Sequence, residues 1–118
     1  RGWGRVVAIT SISVRQPIDQ LILSNTARAG LTAFLKTTAT EVASDGVTVN
    51  TVQPGLHATD RLTQLYDDLE VVASRLPTGV LGDPGDFGRV VAFVCSESAR
   101  SITGASIPVD GGAAQGLQ

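Results

Sequence analysis

Apolar positions follow two rhythms along this chain. "RVVAITS" (5–11) is a short, nearly unbroken apolar run behind Gly2 and Gly4, the pattern of a strand buried on both faces. "VRQPIDQLIL" (14–23) mixes polarities around a proline and reads as a loop leading into a helix. From 24 to 44 the period changes, with Ala27, Leu31, Phe34, Leu35, Thr38, Ala39 and Val42 recurring at helical spacing. Gly46, in "SDG", is placed for the left-handed position that ends such a helix. "VTVNTV" (47–52) returns to a strand pattern, stopped at Pro54-Gly55 because proline cannot continue a ladder and glycine turns freely. Residues 60–75 predict irregular helix and 76–87 a loop rich in Gly and Pro. The stretch 87–99 predicts a helix capped by Asp86. "ASIPVDGG" (105–112) predicts a last short strand running into a glycine turn.

Strand, helix, strand, helices, strand is the order of an α/β protein with a parallel sheet and right-handed crossovers. Three strands are too few for a doubly wound domain, and an all-apolar first strand asks for a sheet that extends further. The first residue is Arg and leads almost directly into that strand, so the expectation is a chain cut from something longer. No G-x-G-x-x-G follows a strand; "GWG" (2–4) precedes one, which is the wrong context for a phosphate-binding turn.

Composition narrows the function classes. With 118 residues the chain holds one domain at most, and 42% hydrophobic with 17% charged residues is ordinary for a globular protein. A net charge of -2 and no run of Lys or Arg exclude nucleic acid as a partner. Apolar runs are too short for a membrane span or a secretory signal. The single cysteine, Cys95, allows no intrachain disulfide and no cysteine metal framework, and it reads as a small buried hydrophobe. These absences together predict a cytoplasmic protein.

Candidate chemistry begins at "LSNTARAGL" (23–31), where Ser24 and Arg28 are four residues apart and share one helix face. The simplest reading of Ser24 is a helix N-cap. The other is a catalytic pair whose members have been exchanged. Four segments bear on the choice: "GRVVAITS", "ARAGLTAFLKTTATEVASDGVTVNTVQPGLHATD", "FVCSESARSITG" and "IPVDGG". In this order and spacing they resemble the C-terminal half of the short-chain dehydrogenase/reductase family, nearest in flavour to the bacterial 3-oxoacyl-carrier-protein reductase-like group. The resemblance implies half of a doubly wound, Rossmann-type domain over 1–118, with the N-terminal cofactor-binding half missing. It also implies an NAD or NADP cofactor, a small carbonyl or alcohol substrate, and a homo-oligomer, dimer or tetramer.

In that family a Ser binds the substrate carbonyl, a Tyr is the general acid or base, and a Lys one helical turn on tunes the Tyr and holds the nicotinamide ribose. The resemblance places Ser11 at the serine, Ser24 at the tyrosine and Arg28 at the lysine. An aliphatic hydroxyl is a far weaker acid than a phenol, whose reference pKa is about 10. Arg28 keeps the charge and can bind ribose hydroxyls, but it is no proton shuttle. His57 and Tyr66 are candidate stand-ins for the missing acid, and each also has a plain reading, as a solvent-exposed loop residue and an apolar-faced helix residue. Ser13, two residues past Ser11, is a weaker spare that an extended chain would point the same way. "PGLHAT" (54–59) leaves a strand's carboxyl end, where open parallel sheets bind ligands. There the resemblance makes Pro54, Gly55 and Thr59 cofactor-binding, with Gly55 allowing close backbone approach. "VDGG" matches the family too and reads as structural. Two functions follow: an NAD(P)(H)-dependent oxidoreductase moving hydride to or from a carbonyl or alcohol carbon, or an impaired family member that serves as a cofactor-binding or scaffold protein.

Overall fold

A computed structural model describes residues 1–117. Three strands, β1 (Gly4–Ile9), β2 (Val47–Pro54) and β3 (Ser106–Val109), pair in parallel in the order β1-β2-β3. Between them run α1 (Ile22–Val42), α2 (Asp60–Leu65), α3 (Leu69–Ser74) and α4 (Pro84–Val94), with short 3₁₀ turns at 12–14, 43–45 and 97–99. The α/β alternation read from the sequence is therefore present, with the parallel sheet it implies.

β2 is the middle strand, and residues 48–53 are all buried. Because side chains alternate along a strand, its two faces meet different covers. Val49 packs with Leu35 and Ala39 of α1, joined by Ala8, Val42 and Val47. Arg5 pairs in register with Thr48, on the opposite face, and there its Nε donates to the carbonyl of Ser96, just past α4. Val52 alternates to that second face and is fully buried. The second face also carries Asn50, whose Nδ2 donates to Ile102 O at 2.8 Å while its Oδ1 accepts from Ala105 N at 3.0 Å. One buried amide thus aligns the loop that delivers β3, with both of its polar ends satisfied.

Four local expectations are corrected. β2 runs past residue 52, pairing Gln53 with Pro108 and Pro54 with Val109. The N–H groups of Thr51 and Gly55 point to β3, so the missing N–H of Pro54 falls on the β1 side, where β1 has already ended opposite Val52. Proline there leaves no gap in a ladder. Second, α1 starts at Ile22 behind an N-cap, Leu21, that makes no side-chain bond, so Ser24 lies within the first turn and is not the cap. Asn25, not Ser24, ties down the incoming loop by donating from Nδ2 to Ile18 O at 2.9 Å. Third, Asp83 and not Asp86 caps α4: its carboxylate accepts from Asp86 N at 2.8 Å and Pro84 takes the first helical position. Fourth, Cys95 is only half-buried, at the C-cap of α4. β1 has β2 as its one neighbour among the described residues and leaves Val6 and Ile9 exposed, in keeping with a strand that asks for a sheet extending further. Gly46 does adopt the left-handed conformation expected of it, at φ 73°.

Candidate active site at the strand ends

Two groups of the singled-out residues collect at the carboxyl ends of β1 and β2. At the end of β1, the first turns of α1 bring Arg28 over the strand. Its Nε donates to Ser24 Oγ at 3.3 Å, and its Nη1 donates to Thr10 O at 2.7 Å and to Ile9 O at 3.4 Å. Ser24 and Arg28 are therefore bonded to each other, one helical turn apart, and both are half-buried. Ser11 caps the 12–14 turn, its Oγ accepting from Ser13 N at 3.1 Å. Ser13 itself is buried inside that turn, so the expected extended chain presenting it beside Ser11 is absent.

Sequence reasoning passed over Arg15 and Gln53. Arg15 Nε donates to Gln53 Oε1 at 2.7 Å and its Nη2 to Ser106 O at 2.6 Å, linking the loop after Ser11 to β2 and β3. Gln53 is fully buried, and its Nε2 has no partner; Thr10 Oγ1 is buried and unpaired as well. Nothing in the strand pattern "VTVNTVQP" separates that glutamine from a surface one, since the signal lies in a contact 38 residues away in the chain.

At the end of β2 a cavity of about 370 Å³ opens, walled by Pro54, Gly55, His57 and Thr59 and faced by Leu62 of α2 and Phe87 of α4. Thr59 is the N-cap of α2, yet its side chain makes no capping bond. Gly55 is needed for a close approach, but to the protein itself: a Cβ there would lie 2.8 Å from Asp110 Cα. His57 is held on several sides. Its Nδ1 lies 3.3 Å from Gly55 O, and its ring meets Phe87 edge-on at 5.1 Å. Gly82 sits against the ring so closely that a Cβ would come within 2.6 Å of Nε2. Tyr66 is the exposed C-cap of α2 and lines neither this cavity nor the one of about 280 Å³ behind His57. "VDGG" is structural as expected: Asp110 accepts from Gly112 N at 3.0 Å and Ala114 N at 2.9 Å, and both glycines are left-handed.

Arg89, in the middle of α4, is raised above its ordinary pKa by its hydrogen bond to and charge pairing with Asp86. Among the described residues no group of three or more His, Cys, Asp or Glu could hold a metal ion. No described helix is long and apolar enough to cross a membrane.

Comparison with known proteins bears on this geometry. The sequence model of a family described as enoyl-(acyl carrier protein) reductase matches residues 1–114. The chain is 39% identical over 113 residues to acetoacetyl-CoA reductase of Cupriavidus necator, covering 95% of this chain and 46% of that one. It is 44% identical over 113 residues to 3-oxoacyl-(acyl-carrier-protein) reductase FabG of Haemophilus influenzae, covering 93% and 46%. Its structure is similar to the NADPH-bound short chain oxidoreductase from Pseudomonas aeruginosa described as containing an atypical catalytic center. That match has a TM-score of 0.87 at 28% identity and covers 96% of this chain and 47% of that one. The chain spans just under half the length of the curated relatives it matches.

Proposed function

The chain belongs to the short-chain dehydrogenase/reductase family, and from that premise we propose that it is the C-terminal half of a Rossmann-type domain that moves hydride between NADP(H) and a carbonyl or alcohol carbon. The substrate class we propose is a 3-oxoacyl thioester, in line with the two relatives named above. NADP(H) is favoured over NAD(H) by the NADPH-bound Pseudomonas structure. A homo-oligomer in the cytoplasm belongs to the same proposal.

One observation carries the reading: the wall at the end of β2, where Pro54, Gly55 and the uncommitted hydroxyl of Thr59 line an apolar cavity. An N-cap threonine that leaves its helix uncapped has a hydroxyl to spare for a ligand's amide or phosphate. The residues present therefore fit a nicotinamide cofactor. When bound, the cofactor supplies the hydride. Thr59 would hold it from the loop, and Pro54 and Gly55 would keep that loop against β3. Arg28 Nη2, which makes no hydrogen bond among the described residues, is left for a ribose hydroxyl. Ser11 and Ser24 would meet the substrate oxygen.

The test is consumption of NADPH by the full-length protein with acetoacetyl-CoA. Turnover is expected, with Thr59→Val raising the KM for NADPH several-fold and leaving the fold intact. A second reading rests on the Ser24–Arg28 pair, which lacks a phenol: the protein binds cofactor and serves as a scaffold without catalysing. Saturable NADPH binding with no turnover of acetoacetyl-CoA or simple ketones would decide for it. Absence of any NADPH or NADH binding would end both readings.

A further inference from the structure

Hydroxyls on α1 are mostly spent on the helix itself. Thr26, Thr32, Thr37 and Thr38 each donate to the carbonyl four residues back. Ser24 does not. The residue four back, Gln20, lies before the helix in a left-handed turn at φ 66°, and Ser24 Oγ instead accepts from Arg28 Nε. Ser11 stands in the same state, its oxygen accepting from Ser13 N. Neither serine hydroxyl donates to any described residue. A hydroxyl has one proton and two lone pairs. In both serines a protein N–H fills a lone pair, and the proton is left without a protein acceptor. Accepting from a guanidinium also polarises Ser24 and makes its O–H the better donor. The same guanidinium holds Thr10 O at 2.7 Å, the carbonyl of the peptide that leads into Ser11. One cation thus ties Ser24 to the backbone at Ser11.

We propose that Ser11 and Ser24 act as a pair of O–H donors that stabilise the substrate's oxygen as it becomes an alkoxide, that Arg28 is a positioning residue orienting Ser24, and that neither serine gives up its proton. The proposal rests on the reductase reading above. As hydride from the cofactor reaches the carbonyl carbon, a C–H bond forms and the C=O π bond breaks. Its electron pair passes to oxygen, where the two O–H groups hold the charge. The proton that completes the alcohol comes from a water molecule, leaving hydroxide to the bulk buffer. Serine suits this division of labour because it is a good hydrogen-bond donor and too weak an acid to relay. His57 is engaged elsewhere: its Nδ1 lies 3.3 Å from Gly55 O and its ring packs edge-on against Phe87.

The experiment uses the full-length protein with NADP⁺ and acetoacetyl-CoA carrying ¹³C at the keto carbon, a pair that cannot react, and reads the keto stretch by infrared difference spectroscopy. In the wild type the band is expected to move to lower frequency on binding. Ser24→Ala should lose part of that displacement and lower kcat with NADPH by about 10²–10³-fold, the loss seen when one oxyanion donor is removed, with little change in KM. Ser24→Thr should restore both. Arg28→Gln should lose the band displacement and kcat as Ser24→Ala does, and the double variant should lose no more of either, because residues acting as one unit are not additive. Arg28→Gln should in addition raise the KM for NADPH, since Nη2 is left for the ribose. A merely structural role would lower the melting temperature and leave the band alone. The proposal is overturned if Ser24→Ala keeps the full displacement, if Ser24→Thr fails to restore it, or if the wild type binds NADP⁺ and ketone with no displacement. Failure of the wild type to bind any nicotinamide cofactor instead overturns the reductase reading beneath it.

Discussion

Gly82 has no room for a side chain. A Cβ would come 2.5 Å from His57 Cδ2, and Gly82 also exchanges backbone bonds with Leu56 and Ala58. Gly82→Ala should therefore push the imidazole off Phe87 and disturb the 54–59 loop, costing about 1–3 kcal/mol as an overpacked contact and weakening NADPH binding. Calorimetry on the single variant and on the pair with His57→Ala checks this; the glycine change should cost little once the ring is gone, and an unaltered cost would locate the strain elsewhere. At this scale the sequence is legible by residue type more than by role. "DPGD" announces a capped helix, but the sequence reading puts the cap at Asp86, whereas Asp83 is the cap because Pro84 takes the first helical position. Asp83→Ala should thus destabilise by about 1 kcal/mol, while Asp86→Ala, which removes only an exposed pairing with Arg89, should hardly move a thermal melt. Gly55 shows the same limit. Its need for a missing Cβ is readable, but that the neighbour is Asp110 is not, because the contact spans half the chain.

Elements were readable wherever the period of apolar residues changes, as it does between β1, α1 and β2. Their ends were not, because ends depend on neighbours. β2 continues through Pro54 since β1 has stopped beside it, and α1 begins early because Leu21, Ile22 and Leu23 offer no polar residue to mark a start. The polar residues within β2 were equally opaque, being indistinguishable in the pattern from a solvated strand. Asn50 is the clearest of them. Asn50→Ala would strand the Ile102 carbonyl and the Ala105 N–H, each at about 1–3 kcal/mol if buried without a partner. A fall in the denaturation midpoint at unchanged slope is the expected result, with Asn50→Asp, which restores only the acceptor, also destabilised. Full stability in either variant would mean that the loop reaching β3 finds other partners.

At the level of the whole molecule, the chain exposes what a parallel sheet ordinarily buries. Ile9 on β1 is 54% exposed, and Ile22, Leu23 and Phe34 on α1 are 74%, 83% and 65% exposed. β1 also has an unpaired outer edge among the described residues. Parallel sheets are covered on both faces and open apolar edges recruit other chains, so these surfaces call for protein partners, either further strands beside β1 or a second copy against α1. That requirement was visible in the sequence only as an all-apolar strand; the surfaces themselves needed three dimensions. Residues 1–118 produced alone should therefore self-associate and melt over a broad range. They should also lack saturable micromolar binding of NADPH, because no glycine-rich turn opens a helix whose N-terminus could hold a pyrophosphate. Sedimentation, thermal melts and a calorimetric titration check these together. A monodisperse monomer with a sharp cooperative transition would mean the exposed faces are tolerated. Tight NADPH binding by that monomer would mean that the loop at 54–59 and the Arg28 turn hold the cofactor with no phosphate site at all.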